Sequence, residues 1–235
     1  MTIADATNLH TFVEAFRFIA DNPGLLATKA LEQLELSGAA LGLALAIALP
    51  LGVVLGHLHR GSTVAIGASI VGRALPSLVL IATFLTILGI GFVNNMVALA
   101  VLATGPILTN SFDAVDGVDR DAVEAARGMG MTGLQILQKV ELPLALPLLF
   151  TGIRVAAVTV VATAPIAAEA GGGGLGDIIV NQAGYRFSGV IGASLCVMAL
   201  SAVVYFALSG LQIAVTPRPL RRTSLGVDPS GKEMT

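Results

Sequence analysis

Charge is what this sequence has least of. Asp, Glu, Lys and Arg make up only 12% of its 235 residues, while 55% are hydrophobic and the mean hydropathy is +0.86. A soluble chain carries roughly 25% charged residues, so this one lacks the polar surface to stay in water. Tryptophan is absent and tyrosine occurs only at Tyr185 and Tyr205, too few for the aromatic cage that typically recognises an organic cation. The single cysteine, Cys196, excludes an internal disulfide and reads as a small buried hydrophobe. A net charge of −2 gives nothing for nucleic acid to bind. A G-x-x-x-x-G-K-[ST] phosphate loop is also missing: Gly231-Lys232 is followed by Glu233. The chain cannot bind ATP by that device, so a process driven by ATP would need the nucleotide and its Mg on another subunit. Neither a metal-spaced cluster nor a nucleophile motif is present, and His57 and His59 beside Arg60 read as an ordinary turn.

What the chain does have is long apolar runs of roughly 20 residues, enough to cross a bilayer core. They predict an all-α integral membrane protein of five core spans. These run from about Leu36 to Gly56, Thr63 to Leu88, Asn95 to Phe112, Leu142 to Ala168 and Gly189 to Val215. Residues 1–35 carry Asp5, Glu14, Arg17, Asp21, Lys29, Glu32 and Glu35, unlike a signal peptide. Leu9, Phe12, Val13, Phe16 and Ile19 recur there at helical spacing. That predicts an amphipathic helix in the membrane interface, or a solvent-facing helix packed on the bundle. The membrane domain is then 36–215, with a polar connection at 113–141, and 216–235 is a polar tail. Eight lysines and arginines (Arg60, Arg120, Arg127, Lys139, Arg218, Arg221, Arg222 and Lys232) fall on one side of this topology. Only Arg17, Lys29 and Arg186 fall on the other. The positive-inside rule therefore puts the amino end outside and the carboxyl end in the cytoplasm.

The 113–141 connection is the informative stretch. Asp119 and Asp121 suit a first helical turn and Arg127 a last one. Gly128 and Gly130 suit a stop and a turn, and Thr132 suits the cap of a second helix through Lys139. Ala125 and Ala126 offer a small surface over which a partner's cleft can close. Pro143 is tolerated at the start of the next span. Composition alone allows an ordinary polar loop here as well. Two arginines lie inside spans, Arg73 and Arg154. An unpaired arginine costs roughly 3 kcal/mol or more at the bilayer centre, so each should face protein or a wet path. For Arg154 an ion pair or a carbonyl contact is expected, ahead of contact with a transported solute. Freed carbonyls near Pro76 suit Arg73. The Gly171-Gly172-Gly173-Gly174-Leu175-Gly176 run permits close backbone approach, as a membrane-edge docking or gating element or as a flexible linker.

Glu124, Ala125, Ala126, Gly130, Leu142 and Pro143 match in register the pattern E-A-A-x-x-x-G-x(9)-I-x-L-P, with Val140 in place of isoleucine. That pattern resembles the coupling loop of permeases in binding-protein-dependent ABC importers. Leu75-Pro76-Ser77-Leu78, Pro106-Ile107-Leu108-Thr109-Asn110, Glu141-Leu142-Pro143-Leu144-Ala145, Gly152-Ile153-Arg154 and the Gly171–Asp177 run are similar to the glycine betaine/carnitine/choline osmoprotectant branch. Arg73-Ala74 and Ser111-Phe112 depart from that branch's Gln-Thr and Thr-Tyr. The resemblance implies the type I importer permease fold in the bacterial cytoplasmic membrane. It also implies a second permease subunit, two cytosolic ATPases and an external substrate-binding protein. An amino-acid permease of the same class is the nearest alternative. An ion-coupled carrier, which also uses broken helices, is a more distant one.

Overall fold

The computed structural model describes residues 9–61, 63, 67 and 77–215, and among them every regular element is helical. In chain order these are α1 (Leu9–Asp21), α2 (Pro23–His57), α3 (Ser77–Leu88), α4 (Phe92–Asp116), α5 (Arg120–Gly128) and α6 (Gly133–Ile136). A π-helical turn (Leu137–Glu141), α7 (Leu142–Thr163), a 3-10 segment (Ala164–Ala170), α8 (Gly176–Val180) and α9 (Gln182–Val215) follow. Four stretches are long and apolar enough to cross a membrane: Pro23–His57, Phe92–Asp116, Gly133–Ala170 and Gln182–Val215. They carry the first, third, fourth and fifth expected spans. The apolar α3 carries the carboxyl-terminal part of the second. Arg73, Ala74, Leu75 and Pro76 lie outside the described residues, as does the tail 216–235.

The first span differs from expectation in length. Helix α2 is continuous from Pro23, which stands at its first turn, where a missing N–H costs nothing. Its 35 residues make a rod of about 52 Å at 1.5 Å per residue, against a hydrocarbon core of about 30 Å. The expected start at Leu36 therefore lies inside the helix, and Lys29 and Glu32 ride on its extension. At the other end of the chain, Arg186 (φ 55°, ψ 177°) breaks α9, so its long apolar stretch begins near the expected Gly189.

Small side chains set the packing. Ala40, Ala44 and Ala48 recur every fourth residue on α2 and meet Leu99, Ala103 and Ile107 of α4, with Ala156 and Val160 of α7 completing the core. In lipid the apolar effect does not drive helices together, so close backbone approach and dispersion must. Gly52 and Gly56 bring the α2 backbone directly against α4. A Cβ at Gly52 would stand 2.8 Å from the Leu108 carbonyl oxygen, and one at Gly56 would stand 2.8 Å from that of Phe112. Helix α1 packs on α9, with Ala15 buried and Phe18 lying over Gly189 and Gly192, and it leaves Phe12, Val13 and Phe16 exposed.

Candidate functional site

The connection between α4 and α7 folds as its residues predict. Asp119 caps α5, its carboxylate accepting from the Asp121 N–H at 3.0 Å. The helix ends in a paired motif: the Met131 N–H donates to the Ala126 carbonyl (3.2 Å) and the Gly130 N–H to that of Arg127 (3.0 Å). This closure needs a left-handed residue after the cap, and Gly130 has φ +79°. A Cβ there would meet nothing within 4 Å, so within this chain Gly130 is required by its dihedral and not by crowding. Thr132 and Gln135 form a reciprocal capping box at the start of α6. The expected second helix does not end at Lys139. The ladder widens into the π turn, where the Leu142 N–H reaches back to Leu137, and continues as α7. Pro143, the second residue of α7, cannot donate to Lys139, which gives the ladder a physical reason to slip here.

The side chains of α5 and α6 sort into two faces. Ala126 and Ile136 are buried in the chain's own core, while Glu124, Ala125, Gly128, Met129 (72% exposed) and Leu134 (62%) face outward. Only one of the two expected small-surface alanines, Ala125, is thus available to a partner. Leu142 and Pro143 are half-buried at the foot of α7. A cavity of about 290 Å³ lies beneath, lined among others by Val118, Arg120, Val123, Glu124, Arg127 and Glu141. The histidines of the preceding turn are engaged here. His57 Nδ1 donates to Glu141 at 2.6 Å, and His59 Nδ1 to Asp116 at 2.7 Å. In the sequence both look like ordinary turn residues, and only their juxtaposition with distant carboxylates reveals them.

At the opposite end of α2, the glycine run is knit into the bundle. Gly171, Gly173 and Gly174 have φ of +71°, +69° and +78°. The Gly172 N–H donates to Ala167 at 2.8 Å and the Gly174 N–H to the Glu32 carboxylate at 3.0 Å. Lys29 bridges Glu32 (2.8 Å) and Asp177 (2.7 Å). Leu175 and Gly176 are buried, and Gly176 lies against the Pro165 backbone. Asn95 holds the preceding segment by donating to the carbonyls of Gly91 and Ala170. A linker would show none of these contacts. Gly174→Val forces a β-branched side chain into a positive φ and against Gln33, 3.1 Å from the position of its Cβ. It is expected to cut transport severalfold at unchanged membrane abundance, read by uptake and immunoblot. Parental uptake would return the run to a linker.

Arg154 has neither an ion pair nor a carbonyl contact among the described residues. Its guanidinium donates to Ser209 Oγ (3.0 Å) and lies 5.0 Å from the centre of the Tyr205 ring. A hydroxyl and a π face satisfy a cation between α7 and α9 without burying a second charge. The other tyrosine, Tyr185, packs edge-on against Phe18.

Long apolar helices joined by an exposed, well-capped helical connection define a multi-pass membrane protein. The chain belongs to the binding-protein-dependent transport system inner membrane component family, whose model matches residues 48–220. It is 37% identical to the carnitine transport permease protein OpuCB of Listeria monocytogenes, over 89% of this chain and 96% of that one. It is 36% identical to the glycine betaine/carnitine/choline transport system permease protein OpuCB of Bacillus subtilis, over 87% and 94%. The osmoprotectant import permease protein OsmW of Salmonella typhimurium is 34% identical over 89% and 100%. Among solved structures, an inward-facing form of the MetNI methionine ABC transporter superposes with a TM-score of 0.71 at 26% identity. That match covers 83% of this chain and 99% of that one. The fold is that of a type I ABC importer permease.

Proposed function

We propose that this permease imports a compatible solute of the glycine betaine, carnitine, choline or proline betaine type. The solute is delivered by an external substrate-binding protein and driven across by ATP hydrolysis on partner subunits. The observation that carries this is similarity along nearly the whole of both chains to three permeases named for such solutes or for osmoprotectants. The methionine transporter, at lower identity, stands for the amino-acid alternative. The complete importer contains a second permease, two ATPases that bind ATP and Mg, and the binding protein. The outward face of α5 and α6 docks the ATPase, and the Gly171–Gly176 loop meets the binding protein or serves as a gate. Both tyrosines are already engaged by neighbours, so tight selection falls to the binding protein and this subunit supplies a weak-binding path. Vesicles holding the assembled importer and its binding protein should accumulate a labelled betaine only with ATP inside. Uptake driven by an ion gradient without ATP would refute the reading, and uptake of amino acids alone would move it to the alternative.

The same reading orients the chain with its amino end outside and its carboxyl end in the cytoplasm, following the eight-to-three split of lysines and arginines across the connections. Ser230→Cys on a Cys196-free background should react with an impermeant thiol reagent only after the cells are opened. Labelling in intact cells would invert the topology.

A further inference from the structure

Helix α2 touches the two regions just described, one at each end. At one end the Glu141 side chain is 3% exposed, and it meets the His57 imidazole at 2.6 Å. His57 Nε2 lies 3.5 Å from where a Cβ on Gly133 would stand. The imidazole is therefore wedged between the first turn of α6 and the last residue of the π turn. Two residues on, His59 holds Asp116 at the end of α4. Arg120, Glu124 and Arg127 face Glu141 and His59 across the shared cavity. At the other end of α2, Glu32 accepts the Gly174 N–H and pairs with Lys29, which also holds Asp177. The 35 residues from Pro23 to His57 form one continuous helix with Pro50 inside it.

We propose that α2 is a transmission rod between the coupling segment and the glycine-rich loop, clamped by His57–Glu141 at one end and by Lys29–Glu32–Gly174 at the other. The inference rests on the proposed function and names the residues through which its two sites communicate. Pro50 removes one N–H from the ladder toward the His57 end, but the helix runs on through it, so with both ends fixed a displacement of α6 and the π turn is carried along α2 to the loop, and the reverse holds by reciprocity. Glu141 and His57 are positioning residues. They touch no solute, and buried as Glu141 is, it does not present a surface to the ATPase.

The test uses the assembled importer in vesicles and reads the ratio of ATP hydrolysis with loaded binding protein to hydrolysis without it. His57→Leu combined with Glu141→Gln removes the pair without stranding a buried carboxylate, and should lower that ratio at least about fivefold, the low end of coupling between sites. Glu32→Gln at the far end should lower it similarly. The three changes together should do no more than either end alone, because a rod in series fails once. His57→Arg, which keeps an N–H donor within reach of Glu141, should stay near the parental ratio. A parental ratio in the His57/Glu141 double variant, additive losses from the two ends, or a loss in His57→Arg as large as in the double variant would each overturn the inference. Absence of stimulation in the unaltered importer would overturn the proposed function itself.

Discussion

Gly52→Val combined with Gly56→Val is expected to abolish accumulation of the folded permease in the membrane. Both glycines sit on the face of α2 that meets α4 with its backbone. An added Cβ would stand 2.7 Å from that of Ser111 at Gly52, and 2.9 Å from that of Val115 at Gly56, besides the two carbonyl oxygens. Neither obstacle is the far end of a flexible side chain, so the helices must separate. Overpacking of this kind costs about 1–3 kcal/mol per site, and two sites one turn apart strike the same seam. Separation would also open the contacts of Ala40, Ala44 and Ala48, which run along the same face of α2. Gly38 and Gly42 supply the control: they have the same spacing on the same helix, with nothing within 4 Å of either. Gly38→Val with Gly42→Val should accumulate and melt like the parent. Immunoblotting of membranes and thermal melting in detergent read both. Equal loss in the two pairs would show that glycine content, not the α2–α4 seam, decides assembly.

Gly130→Leu and Glu124→Lys are expected to remove most of the stimulation of ATP hydrolysis by loaded binding protein, and most transport with it. The two act differently. Gly130 holds the left-handed position of the α5 closure, which costs a non-glycine residue roughly 1–2 kcal/mol. Because its Cβ direction is open within this chain, bulk placed there projects outward at the proposed ATPase contact. Gly130→Asn, which tolerates the same dihedral, should therefore be milder than Gly130→Leu. Glu124 is exposed and makes no ion pair among the described residues, leaving its charge available to a partner. Reversing that charge places like against like at a contact edge. The measurements are stimulation in vesicles and co-purification of the ATPase, with solute affinity of the binding protein as the quantity that should not move. Full stimulation in both variants would remove α5 and α6 from the coupling role.

The class of this protein and most of its span plan are legible in its residues alone. With 12% charged residues, the long apolar runs have nowhere to fold but a bilayer. Within the polar connection, Asp119, Gly130 and Thr132 each have a local conformational preference strong enough to place the caps of α5 and α6. Such signals are legible because they depend on neighbours within a few residues. The tertiary structure decided everything that depends on distance. Residues 23–35 read as polar enough to precede a span, yet they continue α2, because Leu26 packs with Leu175 and Ile178 and Gln33 reaches the Val161 carbonyl. Ala125 and Ala126 are identical in sequence terms, and only helix phase against the core buries one and exposes the other. His57 and Glu141 stand 84 residues apart, with no local pattern to join them. Folding brings them to hydrogen-bonding distance because α2 ends and α7 begins at the same layer, where a buried carboxylate requires a partner.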